Sequence, residues 1–161
     1  MTLLAIDPGT TESAWVLWRD GAPRLFAKEP NAAVRLLVRD PPEPIDRVAV
    51  EMVASYGMPV GREVFETVRW IGRFEESAGQ VPVVLVYRQE VKLHLCHSAK
   101  ANDAAIRQAL LDRFGPGREQ AIGTKKAPGP LYGISGDVWS ALAIAVTVSD
   151  RHDLRSVGVA P

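Results

Sequence analysis

Three acidic residues stand where an acid is costly or conspicuous. Asp7 closes the apolar run Leu3–Ile6, Glu51 closes Val48–Val50, and Asp137 opens an apolar stretch that starts at Val138. A carboxylate drawn out of water must be compensated. Each acid has an ordinary explanation. Asp7-Pro8-Gly9 is turn chemistry, Glu51 is a solvated strand end, and Asp137 is a helix-opening acid favoured by the helix dipole. Together they admit another reading. If the two runs are neighbouring strands and the apolar stretch is a helix packed across them, three carboxylates meet and repel unless a cation sits among them. Hard oxygen ligands of this kind suit Mg²⁺ or Mn²⁺. Ion pairs bridged by carboxylates, about 3.5–4 Å apart, are the usual machinery for in-line displacement at phosphodiesters.

The elements that would have to position these acids are legible. Leu3–Ile6, Ser13–Trp18 and Arg24–Lys28 read as three strands, the last two joined by an Asp20-Gly21 turn. Asn31 is placed to cap a short helix over Ala32–Arg39. The prolines of Asp40–Pro44 deny both helix and ladder bonding, so that stretch is loop. Arg47–Glu51 is a short buried strand, and a helix is predicted from Gly61 to Ala78 with Val64, Phe65, Val68, Ile71 and Phe74 on one face. Pro82–Tyr87 is β-branched and reads as a strand. Ala104–Phe114 is a helix entered through Asn102 or Asp103 and closed by Gly115. Gly123–Gly133 is Gly/Pro-rich, basic and expected to be mobile. Gly136–Ser149 is a helix apolar almost all round, which belongs in the core. Hairpin-length links between the first three strands and a helical crossover between the last two give an α/β fold: a mixed sheet with helices on both faces.

At 161 residues, with 47% apolar and 24% charged residues, the chain reads as one soluble domain spanning 1–161. No apolar run approaches the roughly 18–20 residues of a membrane span, and no secretory signal is visible. The single cysteine, Cys96, fits a reducing, cytoplasmic setting. With 19 basic and 19 acidic residues there is no global basic field, so any nucleic-acid partner must be held by local patches.

The stretches "LLAIDPGTTESAW", "VAVEMVASYGMPVGREVFETVRWIGRF", "KANDAAIRQALLDRFG" and "SGDVWSALAIAV" carry a family resemblance, in family order and over most of the chain. The chain resembles the RuvC-type Holliday junction resolvases of the RNase H-like superfamily, and most of all the small versions encoded by bacteriophages. The resemblance implies a five-stranded mixed sheet of RNase H-like type. It also implies an active site with two Mg²⁺ ions (Mn²⁺ as substitute), a homodimer, and four-way DNA junctions as substrate. The setting it implies is the cytoplasm of a bacterium or phage-infected host. Asp7, Glu51 and Asp137 fall on the family's catalytic acids, with Asp7 bridging the ions and the other two each completing one coordination shell. Ser140 departs from the pattern, because the family often has a further aspartate there, one helical turn after the first. Either Asp103, from the start of its helix, or water would have to fill that place. Lys100 lies where the family uses basic residues near the scissile phosphate, and surface solvation accounts for it equally well.

The segment Glu51–Gly61 is bendable and exposes Tyr56 and Met58. In the family the corresponding segment carries a side chain that wedges into the junction centre. Tyr56 is the favoured wedge here, with packing against the sheet rim as the alternative. Arg62, Arg69 and Arg73 recur along one helix face among Glu66 and Glu76. A salt-bridged surface accounts for them, and Arg62 is retained as a DNA-binding candidate. The apolar face with Val64, Val68 and Ile71 is either core or dimer interface. Lys125 and Lys126 are better phosphate candidates, because no nearby acid balances them. His94-Leu95-Cys96-His97 lacks the partners of a four-ligand zinc site. Three rivals remain. One is a nuclease of the same fold acting on RNA:DNA hybrid, and another is a binding module that has lost cleavage. The third is a sugar kinase or actin-like ATPase, which would need a second phosphate loop and a second domain.

Overall fold

The computed structural model describes residues 1–156, with side chains through residue 152. Five strands form one sheet: β1 (Thr2–Asp7), β2 (Glu12–Arg19), β3 (Ala22–Pro30), β4 (Arg47–Met52) and β5 (Val83–Tyr87). The order across the sheet is β3-β2-β1-β4-β5, antiparallel from β3 to β1 and parallel from β1 to β5. This is the five-stranded mixed sheet that the resemblance implies. Asp20 and Gly21, both at positive φ, make the tight turn between β2 and β3. The parallel strands need crossovers, supplied by α1 (Asn31–Arg39) between β3 and β4 and by α2 (Arg62–Ser77) between β4 and β5.

Alternation along the strands builds two cores. Leu3, Ala5, Ala14, Val16, Trp18, Ala49 and Val86 face one side, where α6 (Val138–Ser156) lies across β1 and β2. Leu4, Ile6, Trp15, Leu17, Val48 and Val50 face the other, under α1 and α2. Residues 141–146 of α6 are wholly buried, as its all-round apolar sequence predicts. The helix continues to Ser156, past the expected end at Ser149, because Asp150 and Arg151 find ionic partners in Arg113 and Glu90. Among the described residues no helix is long and apolar enough to cross a membrane.

At four places the structure adds to or departs from what the sequence predicts. Arg88–Cys96, unassigned from sequence, is a helix, α3, whose opening is fixed by Glu90 accepting from the Tyr87 N–H at 2.8 Å. On α2, Ile71 and Phe74 are core, with Thr67 beside them, whereas Phe65 is 58% exposed and Val68 36%. The predicted single apolar face is therefore divided between the interior and the surface. Gly123–Gly133 contains a bonded turn: Thr124 and Ala127 exchange both backbone hydrogen bonds, with Lys125 and Lys126 at its tip. Asn31 begins α1 without capping it. Its side chain instead donates to the Gly9 carbonyl at 2.9 Å and accepts from the Ser13 hydroxyl at 2.5 Å, and that hydroxyl accepts from the Gly9 N–H at 3.2 Å. This buried clamp fixes the loop after Asp7. Gly9 is required there, since a Cβ would collide with the carbonyl oxygen of Glu12.

Candidate active site

Strand parity aims the first two acids. Asp7 follows Ala5 by two residues and Glu51 follows Ala49 by two, so both carboxylates point to the α6 side of the sheet. Ile6 pairs with Val50 on the neighbouring parallel strand, so the next residue along each strand is the acid. Asp137 comes to the same side from the start of α6, where its backbone carbonyl accepts from the N–H groups of Ser140 and Ala141.

Their electrostatics show that they feel one another. The Asp7 pKa is pushed up to about 7, first by burial and then by the negative charges of Glu51 and Asp137, with Arg88 and Lys28 pulling the other way. Burial likewise raises the Glu51 carboxyl, and Asp103 adds to this, while Arg88 and Lys92 oppose it. Glu51 Oε2 is buried and has no hydrogen-bond partner among the described residues; Arg88 Nη1 lies 3.7 Å away. The central pair is therefore short of positive charge.

The outer acids are better provided for. Lys28 Nζ meets Asp137 Oδ2 at 2.7 Å, an open contact with both side chains about half exposed. No sequence motif singles out Lys28, although the parity of β3 reveals it: Phe26 packs into the α6-side core and Lys28 is two residues on. Arg88, equally unmarked in the sequence, opens α3 and binds the Asp103 carboxylate. Its Nη1 also lies 3.4 Å from the Ser140 hydroxyl. Asn102, not Asp103, caps α4 (Asp103–Phe114), accepting from the Ala105 N–H at 2.9 Å. That leaves the Asp103 side chain turned to the cleft, where its charge is taken by Arg88. Among the described residues no three acidic, histidine or cysteine side chains converge tightly enough to share one ion. The acids are instead divided between Lys28 and Arg88.

Three open hollows adjoin one another along this edge. A cleft of about 360 Å³ is lined by Arg88, Asp103, Arg107, Asp137, Trp139 and Ser140. Arg88 links it to a hollow of about 280 Å³ with Tyr56 and Lys92. Asp137 links it to one of about 480 Å³ with Lys28 and Phe26. Arg107 lies 4.7 Å over the Trp139 ring, a cation–π contact at the cleft wall. The edge is thus an acidic centre flanked by cations.

The remaining candidates are placed as follows. Tyr56, in a turn closed by the Met58 N–H on the Ser55 carbonyl, holds a positive φ and is 60% exposed, and Met58 is exposed as well. Lys100 is exposed and lines none of these hollows. Arg69 pairs with Glu66, Glu76 with Arg35, and Arg73 stacks on Trp70, whereas Arg62 has no carboxylate partner among the described residues. Lys125 and Lys126 are exposed and likewise unpaired among the described residues. His94 binds Asp150 at 2.8 Å, and Arg113 grips the same carboxylate at 2.6 and 2.9 Å. Burial pushes Asp150 up, but these donors outweigh it and hold the carboxyl below its usual range.

No family model and no curated protein matches the chain. Solved structures do. Thermus thermophilus RuvC matches with a TM-score of 0.70 at 18% identity, covering 99% of this chain and 98% of that one. T. thermophilus RuvC in complex with Holliday junction substrate matches with a TM-score of 0.69 at 21% identity, covering 99% and 97%. The described residues have the RuvC-like fold.

Proposed function

We propose that the chain is a divalent-metal-dependent, structure-selective DNA endonuclease that resolves four-way junctions, the whole chain acting as one nuclease domain within a homodimer. The observation that carries this reading is the under-compensated Asp7–Glu51 pair, partly buried at the carboxyl ends of the inner strands β1 and β4, with Glu51 Oε2 lacking a hydrogen-bond partner. It is supported by a fold shared with a protein solved on Holliday junction DNA. Two buried carboxylates short of positive charge suit a hard divalent cation, Mg²⁺ with Mn²⁺ as substitute. Asp7 and Glu51 would hold it, with Asp137 approaching from the start of α6. When bound, the ion supplies a Lewis acid for the phosphate oxygens and a lowered pKa for water.

The chain's own residues supply the rest. The reaction adds a water oxygen to phosphorus and breaks the bond to the 3′ oxygen, and the anionic backbone must first be brought against an acidic centre. The flanking cations Lys28, Lys92 and Arg107 face the clefts where that backbone would lie. The exposed Lys125 and Lys126, with Arg62 and Lys100, would be further phosphate contacts. Tyr56, which borders the hollow beside Arg88, and the exposed Met58 two residues on would unstack bases at the crossover. Two symmetric nicks need two sites, and Phe65 with Val68 offers an exposed apolar patch on α2 for a two-fold interface. A cytoplasmic setting, in a bacterium or phage-infected host, goes with this substrate.

The test is a substrate panel with the full-length protein in Mg²⁺: a four-way junction, linear duplex and RNA:DNA hybrid of matched sequence. Preference for the junction supports the reading. Equal cutting of the hybrid by a monomer would replace it with a hybrid-directed nuclease of the same fold.

A further inference from the structure

The resemblance implies two ions per site, yet the corner between Glu51, Asp103 and Ser140 is already furnished with a cation. Arg88 projects from the first turn of α3 with its side chain 24% exposed. One edge of the guanidinium binds Asp103. The other stands 3.7 Å from the orphaned Glu51 Oε2 and 3.4 Å from the Ser140 hydroxyl. Three elements, β4, α4 and α6, thus present oxygens to one planar group with five fixed donors. A metal ion brought to this corner would have to displace the guanidinium. It would then find a neutral hydroxyl at Ser140 where a hard cation favours a carboxylate.

We propose that Arg88 is the built-in second cation of this site. Each chain then binds one divalent ion, near Asp7 and Glu51, and the guanidinium contacts the phosphate being cut, where a second ion would otherwise stand. The inference rests on the nuclease reading above. Arg88 suits the task because it borders both the cleft with Asp137 and the hollow with Tyr56, so a backbone passing between them crosses its face. A guanidinium offers a phosphate two parallel hydrogen bonds and keeps its charge at any working pH.

The experiment counts ions and measures cutting on the same full-length preparations. Titration calorimetry with Mn²⁺ should give one ion per chain for the wild type and none for Asp7→Asn. Arg88→Ala should keep the single ion and cut a four-way junction about 100-fold more slowly at saturating Mg²⁺, the scale of removing one preorganised donor to the reacting group. Arg88→Lys should recover part of that rate, which a merely structural role for the arginine would not give. The pair Arg88→Ala with Ser140→Asp should bind two ions, since it clears the corner and supplies a carboxylate. Two ions in the wild type, or wild-type cutting by Arg88→Ala, overturns the proposal and leaves the nuclease reading intact. No ion binding together with no nicking by the wild type overturns that reading, and the proposal with it.

Discussion

Asp7→Asn should make the metal-free protein more stable, although it removes the residue on which the proposed cleavage depends. In the native state the Asp7 carboxyl titrates near 7, against 3.8 when unperturbed. Between those values the folded protein holds a proton that the unfolded chain has lost, so stability falls as pH rises through the window and levels off above it. At about 1.4 kcal/mol per decade of acidity, the full cost at pH 8 is about 4 kcal/mol. Asp7 is only partly covered, and water at the open cleft reduces the gain to be expected from Asn to about 2 kcal/mol. For a domain of this size that is a rise in Tm of about 4–8 °C. The assay is urea and thermal unfolding in EDTA at pH 8 and again at pH 4, where the folded carboxyl is protonated, the unfolded one is close to half protonated, and the difference should shrink. Added Mg²⁺ should stabilise the wild type and leave the variant nearly unmoved. If Asp7→Asn is no more stable than the wild type at pH 8 in EDTA, the carboxylates are not in uncompensated contact and the site is misread.

Replacing Lys125 and Lys126 with Ala should flatten the slope of log K against log[salt] for junction binding by about 0.9 for each phosphate that the pair neutralises, while the cleavage position stays put. An unchanged slope makes the turn a bystander. Phe65→Glu should convert dimer to monomer in sedimentation with the fold intact, because the ring is exposed, whereas Ile71→Ala should cost about 2–5 kcal/mol of stability because that side chain is core. A dimer surviving Phe65→Glu rejects the interface. Asn31→Ala strips partners from the Gly9 carbonyl and from buried Ser13, and should cost about 1–3 kcal/mol in urea unfolding while slowing cleavage through a loosened Asp7 loop.

The acids at Asp7, Glu51 and Asp137 are legible in the sequence because they break apolar runs whose period already fixes the element. An apolar strand that ends in a carboxylate advertises itself, and parallel pairing of two such strands brings the ends together. The residues that compensate those acids are not legible in the same way. Arg88 acts through Ser140 and Asp103, which are 52 and 15 residues away, and nothing local marks it. Its helix escapes notice because Val91 alone is buried along it, which leaves no apolar stripe. Only the Glu90 carboxylate, three residues past Tyr87, signals its start. Lys28 can be found by extending the alternation of Phe26 along β3. The two sides of α2 cannot be separated by pattern, since Phe65 and Phe74 look alike in a helical repeat until the sheet decides which is covered. Asn31 looks like a cap because it precedes a helix, but its side chain is claimed by the loop that carries the acidic strand end.

The central claim is that the acids at this sheet edge cut branched DNA with the help of a divalent ion. The most direct measurement is nicking of a labelled four-way junction by wild type and Asp7→Asn, each with Mg²⁺ and with EDTA, alongside a binding assay on the same samples. Paired nicks at symmetric positions by the wild type in Mg²⁺ alone, with binding but no nicks from Asp7→Asn, are the predicted result. Nicking that persists in EDTA, or that survives Asp7→Asn, contradicts it.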